Sequence, residues 1–272
     1  MQLPKEYQVR KIPHDYYLRF LDPIAYSETI DFHTKGNFFI HEAFKNRTAL
    51  HFINNKDLSD LTGNELRLHP DMDLCLPIKS EKSQTSDLNR NESCESFLDD
   101  PIPFDIVEKM INPLTSTTKD SHKRGYPSGG ALYPVEVFVC SLIDEHPTWP
   151  CSERILHLLP QSRKFERVTS SHSIQDLKKS IFSAPHTIGM PSIAIIYVAY
   201  LPKTFFKYRY RGYRMALMEA GSIYTIIELQ CKKLGLGSRQ WSAYTDTLIC
   251  KSIGLNPALF LPVSVHLIGK SA

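Results

Sequence analysis

The sequence contains no Cys-x-x-Cys pair, no Gly-x-Gly-x-x-Gly, no Gly-x-x-x-x-Gly-Lys-Ser/Thr and no long apolar run. Each absence excludes a class of protein. Six scattered cysteines (Cys75, Cys94, Cys140, Cys151, Cys231, Cys250) have no histidine partners at zinc-finger spacing, so no metal site is expected. Reduced thiols are the expectation, with Cys140, Cys231 and Cys250 buried inside apolar patterns. Without the glycine fingerprints there is neither a Rossmann dinucleotide site nor a P-loop. The longest uncharged apolar stretch, Thr187 to Pro202, is interrupted by Gly189 and Pro191 and is too short to span a bilayer. The first residues carry Lys5, Glu6, Arg10 and Lys11 with no apolar segment behind them, so no secretory signal and a cytoplasmic location are expected.

What is there is globular. The 272 residues are 42% hydrophobic and 22% charged, which excludes a disordered, collagen-like or disulfide-stapled chain and allows one large core or two small ones. A net charge of +3 gives no reason to expect a nucleic-acid partner. Residues 79–96, KSEKSQTSDLNRNESCES, hold five serines and almost nothing apolar, the composition of an exposed linker. That linker divides an accessory or docking domain at 1–78, with a short helix expected over Glu42 to Phe52, from a second domain at 97–272.

In the second domain the patterns predict a helix over Pro103 to Met110, a strand over Val135 to Ile143 and a hairpin of Ile155 to Leu159 with Lys164 to Val168. Ile174 to Phe182 reads as helical. Ile193 to Tyr200, β-branched and aromatic without polar alternation, predicts a strand covered on both faces. Ala216, Ala220, Ile223, Ile227, Cys231 and Leu234 recur at helical steps, predicting a long helix over Arg214 to Leu234 capped by Gly235. A shorter helix is expected from an N-cap at Asp246 to Gly254, then a last strand over Pro262 to Ile268. Strands and helices alternate irregularly, without repeated βαβ units, so the fold class is α+β, a sheet flanked by helices.

Three segments can carry chemistry. Tyr126-Pro-Ser-Gly-Gly-Ala-Leu-Tyr-Pro134 places adjacent glycines, where backbone can approach a flat or anionic ligand, beside the Ser128 hydroxyl; it is equally a tight turn feeding a strand. Lys207-Tyr-Arg-Tyr-Arg-Gly-Tyr-Arg214 interleaves four cations with three tyrosines and no acid. Its footprint is too small for a nucleic-acid face, and a solvated surface accounts for the charge. Adjacent cations disfavour an ammonium and a phenol can relay a proton, so Lys207 and Tyr208 can also act as acid and base. Gly235 to Asp246 reads as a helix-to-helix connection whose Trp241 could line a pocket.

Taken together, YPSGGALYPVEVF at Tyr126 to Phe138, FKYRYRGYRMALMEAGS at Phe206 to Ser222 and the Gly235 to Asp246 segment resemble the azoline dehydrogenases of the flavin nitroreductase superfamily, of the kind serving microcin-type synthetases. The likeness is specific over Arg124 to Gly269 and looser before it. It implies a nitroreductase-like sheet binding FMN at a homodimer interface, and oxidation of thiazolines and oxazolines to thiazoles and oxazoles in a ribosomally made precursor peptide. A base takes the ring Cα proton, a hydride passes to the flavin, and molecular oxygen reoxidises it. Lys207 and Tyr208 match the family's catalytic pair, with the base left open between them. Ser128, Gly129 and Gly130 match its flavin loop, and Arg124, Arg239 and Ser242 are further cofactor-binding candidates. Cyclodehydratase subunits of a synthetase complex are the implied partners, with no nucleic acid or membrane. The other readings are an NAD(P)H-dependent nitroreductase or quinone reductase, and a mainly scaffolding subunit. One departure stands out. Plain nitroreductases grip the FMN phosphate with an Arg-Arg-Ser-x-Arg-type element, whereas the matching stretch here, Arg90-Asn-Glu-Ser-Cys-Glu-Ser96, keeps only Arg90 as a cation, leaving Arg124, Arg239 or Lys270 to replace it.

Overall fold

The computed structural model describes residues 17–37, 56, 88–117, 122–169, 173–183 and 186–272. The chain divides into two units, one of residues 1–38 with 90–272 and the other of 39–89. One cut, between residues 89 and 90, falls within the linker expected at 79–96, whereas residues 1–38, placed in the accessory domain by the sequence reading, group with the large unit. The first helix, α1 (Pro23–Thr34), belongs with the large unit. It buries Ala25 and Thr29, and its Tyr26 ring meets Phe205 edge-on with centroids 5.8 Å apart. The helix expected over Glu42 to Phe52 lies outside the described residues.

In chain order the large unit continues with α2 (Phe104–Ile111), β1 (Val135–Ser141), β2 (Ile155–Leu159), β3 (Lys164–Arg167), α3 (Ile174–Ile181), β4 (Ile193–Ala199), α4 (Pro202–Tyr208), α5 (Tyr210–Lys233), β5 (Gly237–Trp241), α6 (Asp246–Ser252) and β6 (Leu261–Gly269). Six strands form one sheet in the order β3-β2-β1-β4-β6-β5, each pair antiparallel. The class is the α+β sheet with flanking helices that the sequence predicts.

β4 has every residue buried because both its faces are covered. Ile193, Ile195 and Tyr197 turn toward α2 and α5, while Ala194, Ile196 and Val198 turn toward α3 and α6. Each of the isoleucine and valine side chains among them contributes about 2 kcal/mol of burial. The buried residues Ala216, Ala220, Ile223, Ile227 and Cys231 recur along α5, as their spacing requires. The three thiols expected in the core lie there: Cys140 is fully buried, and burial pushes the Cys231 and Cys250 thiols up to about 12.

Three elements differ from the sequence reading. The basic cluster is split: α4 ends at Tyr208, and Arg209, at φ +46°, turns the chain into α5. Gly212 permits that turn, since a Cβ there would stand 2.6 Å from the Thr204 hydroxyl on α4. The Gly235 to Asp246 segment is not a plain connection, because Gly237–Trp241 forms the edge strand β5. Asp246 is the first helical residue of α6, and Thr245 occupies the N-cap without a side-chain bond to the helix backbone, its hydroxyl meeting that of Ser183 at 2.6 Å.

Candidate active site

The Tyr126 to Pro134 loop enters β1 through backbone that only a firmly held segment adopts. Gly130 (φ +65°), Ala131 (φ +54°) and Tyr133 (φ +49°) lie in the left-handed region, which costs a non-glycine residue about 1 kcal/mol or more. Polar contacts fix it. The Tyr133 N–H donates to Ser128 Oγ at 2.9 Å, the Arg124 N–H donates to the Tyr133 hydroxyl at 2.9 Å, and Lys203 Nζ donates to the Tyr133 carbonyl at 3.4 Å. The rings of Tyr126 and Tyr133 meet edge-on at 5.5 Å, and burial raises the Tyr126 phenol above its ordinary range.

The loop presents its glycine to the end of α4. A Cβ on Gly130 would stand 2.6 Å from Tyr208 Oη and 3.3 Å from Lys207 Nζ, so the bare backbone and the Lys-Tyr pair form one surface. Lys207 Nζ lies 5.1 Å from the centroid of its neighbour's ring. Gly129 packs the same way on Met215 of α5, where a Cβ would come 2.7 Å from the sulfur. The turn at Arg209 makes this possible, since it ends α4 with Lys207 exposed and Tyr208 half-buried beside the loop.

The remaining expected residues lie elsewhere. Arg124 is engaged: its guanidinium donates to the Tyr126 hydroxyl at 2.7 Å and lies 4.3 Å from the centroid of Tyr133, bracing the loop. Arg239, on β5, donates to the Cys94 carbonyl at 3.0 Å, which puts it on the Arg90 to Ser96 stretch; the Cys94 N–H also reaches the Ser238 carbonyl. Ser242 is exposed just beyond β5. Arg90 pairs with buried Glu228 on α5 at 3.1 Å, and Lys270 pairs with Asp100 at 2.5 Å. Trp241 is half-buried: its Nε1 donates to the Ile181 carbonyl at 2.8 Å, and its ring meets Phe182.

Two acids near the loop were not expected. Glu219 of α5 accepts the Val135 N–H at 3.1 Å. Glu136 on β1 pairs with Lys203 of α4, and His157 Nε2 approaches its carboxylate at 3.0 Å while Nδ1 approaches Glu166 at 3.1 Å. Burial alone would raise the Glu136 carboxyl, but the Lys203 charge and the His157 hydrogen bond hold it well below the usual range. Among the described residues no group of three or more His, Cys, Asp or Glu side chains could hold a metal ion. No described helix is long and apolar enough to cross a membrane.

The strained loop thus sets Gly130 against a Lys-Tyr pair at the end of α4, beside an antiparallel sheet. The nitroreductase family model matches residues 89–270. The chain belongs to the nitroreductase family, which generally binds flavin. It is 34% identical over 253 residues to the microcin B17-processing protein McbC of Escherichia coli, covering 92% of both chains. It superposes on a chain of the solved E. coli microcin synthetase McbBCD complex, which has truncated pro-MccB17 bound, with a TM-score of 0.86 and 32% identity, covering 97% of this chain and 99% of that one. The MJ1384 protein of Methanocaldococcus jannaschii is 23% identical over 194 residues, or 71% of this chain and 96% of its own. A Ralstonia eutropha crystal structure, 17% identical with a TM-score of 0.54, covers 72% of this chain and 88% of its own and shares the fold alone.

Proposed function

We propose that this nitroreductase-family chain is the FMN-dependent azoline oxidase of a peptide-modifying synthetase, converting thiazolines and oxazolines in a ribosomally made precursor peptide into thiazoles and oxazoles for a microcin-type antibiotic. The observation that carries the reading is the meeting of Gly130 with Lys207 Nζ and Tyr208 Oη in a chain 34% identical to McbC over 92% of both lengths.

The residues suit a flavin. Gly129 and Gly130 offer backbone without side chains, and the donors around them are cationic or neutral, as a phosphate and an electron-rich ring require. Ser128, Gly129 and Gly130 would hold the ring system. Arg239, lying on the stretch where a phosphate element is expected, would take the phosphate, with Ser242 beside its strand. Arg124 serves the site by bracing Tyr133 and Tyr126. Bound FMN supplies the hydride acceptor.

The chain's own part is the proton. Lys207 Nζ or Tyr208 Oη takes the proton from the ring Cα, the two atoms flanking the place that a Cβ on Gly130 would occupy. Lys207 Nζ lies 5.1 Å from the centroid of the Tyr208 ring, so whichever of the two takes the proton has the other beside it. Aromatisation of the ring supplies much of the driving force.

The assembly follows the same reading. Cyclodehydratase subunits that form the azolines, the precursor peptide and a second copy of this chain are the partners, in the cytoplasm, and the N-terminal region offers docking surface. Along α5, Arg214, Leu217, Met218, Gly221 and Thr225 are exposed at helical spacing, with Met218 73% exposed. That unpartnered stripe supports the homodimer. Purification tests the whole: a chain carrying flavin absorbance near about 450 nm that removes about two mass units per ring from a cyclised peptide supports it. NAD(P)H oxidation without effect on azolines would identify a reductase, and unchanged ring oxidation after loss of both Lys207 and Tyr208 would remove their catalytic role.

A further inference from the structure

Glu219 is, with Glu228, one of two acids among the buried residues of α5. It lies between Ala216 and Ile223 on the buried stripe of α5 and is 2% exposed. Its Oε1 accepts the Val135 N–H at 3.1 Å, whereas its Oε2 is buried without a hydrogen-bond partner in good geometry among the described residues, the Ser128 hydroxyl facing the carboxyl. An acid left so incompletely satisfied weakens the fold, so its place calls for a local explanation.

That explanation lies in the sheet. β2 pairs with β1 at Phe138, Val139 and Cys140, so its ladder does not extend to Val135, the first residue after the loop. On the other side the Tyr200 N–H already takes the Pro134 carbonyl at 2.8 Å. The Val135 N–H therefore has the Glu219 carboxyl as its acceptor at the point where the strained segment becomes regular strand. Met215, one turn earlier on the same helix, packs on Gly129. α5 thus grips the loop at two places, four residues apart.

We propose that Glu219 is the positioning residue of the Tyr126 to Pro134 loop, clamping its exit at the Val135 amide and so holding Gly130 against Lys207 and Tyr208. The groups facing it are Ser128 and Tyr126 of the loop, Arg124 ahead of it, Lys203 of α4 and, beyond Tyr126, Glu136 of β1. The part concerning flavin rests on the proposed function; the clamp itself does not.

The test uses the full chain with Glu219→Gln, which keeps a carbonyl acceptor, and Glu219→Met, which fills the same space with none and removes the buried acid. In flavin-free protein, amide hydrogen exchange around Val135 should speed up about tenfold or more in Glu219→Met and stay within about threefold of the parent in Glu219→Gln. FMN affinity by fluorescence quenching should follow, weakened about tenfold or more in Glu219→Met and restored in Glu219→Gln. Exchange around Val135 unchanged in Glu219→Met, or equally fast in both variants, overturns the clamp. A parent chain that binds no FMN but shows the exchange pattern overturns the flavin reading and leaves the clamp standing.

Discussion

A methyl group on Gly130 would stand 2.6 Å from the Tyr208 hydroxyl oxygen, closer than unbonded carbon and oxygen approach, although 78 residues separate the two. The loop and the end of α4 are thus fitted to one another. Gly130→Ala combines this clash with a φ of +65°. We expect it to lower azole formation and FMN content about tenfold or more while lowering stability by about 1 kcal/mol, within reach of local relaxation. Flavin content after purification and a melting curve measure the two effects.

Glu136 couples the sheet to α4. Its carboxyl is depressed by Lys203 and His157, so its contribution is present above the unfolded carboxylate pKa and is lost as the pH falls through the folded value. Burial lowers the His157 imidazole, but the hydrogen bonds and charges of Glu136 and Glu166 raise it overall; its contribution is therefore present below the ordinary histidine pKa and is lost as the pH rises through the folded one. Glu136→Gln should cost about 3 kcal/mol at neutral pH. Its urea midpoint should also fall less than the parent's between about pH 5 and pH 3.

Burial pushes the Glu219 carboxyl up to about 7 against the opposing pull of Ser128, the Val135 N–H, Arg124 and Lys203. The folded chain then binds the proton more tightly than the unfolded one, so stability declines as the pH rises from the ordinary carboxylate range toward 7. Glu219→Gln should leave the melting temperature nearly unchanged at pH 5. At pH 8 it should stabilise the chain by about 2 kcal/mol, read by thermal melts at both values.

Met218, 73% exposed on α5, lies in the middle of the stripe assigned to the second copy. Met218→Glu sets like charges against each other across a two-fold interface and should weaken dimerisation about a hundredfold or more. Light scattering against concentration reads this directly; a variant as dimeric as the parent moves the interface elsewhere.

Much of the fold was legible because burial writes itself in spacing. Ile193 to Tyr200 reads as a two-sided strand and is one over Ile193–Ala199, and Ala216 to Leu234 reads as one face of a helix, buried as far as Cys231. β5 was missed because Gly-Ser-Arg-Gln-Trp has no apolar alternation; it pairs through its backbone along β6, with residues on its outer side half-exposed. The break between α4 and α5 was missed because it falls on Arg209, with a positive φ that no glycine announces. α1 does not stand out in the sequence because the stripe it packs on the core, Ala25, Tyr26, Thr29 and Ile30, is matched by apolar Ile24 and Phe32 on its exposed side.

The site was legible unevenly. The Gly-Gly loop and the Lys-Tyr pair stood out, but their meeting depends on the turn at Arg209 and on sheet closure, which spacing does not encode. Arg124 looked like an anion ligand because its cation-π contact with Tyr133 depends on the loop's φ values. Glu219 did leave a signal: an acid three residues after Ala216 and four before Ile223, inside the helical stripe those residues mark.

The central claim is that Lys207 and Tyr208, held against Gly130, move the ring proton. Mass spectrometry of a cyclised precursor peptide incubated with the flavin-loaded chain and its synthetase partners tests this most directly, comparing the parent with Lys207→Ala and Tyr208→Phe. The account predicts a loss of about two mass units per ring with the parent. It predicts a rate at least about a hundredfold lower in one or both variants, with flavin content and complex formation retained. Ring oxidation at the parental rate in both variants would contradict it.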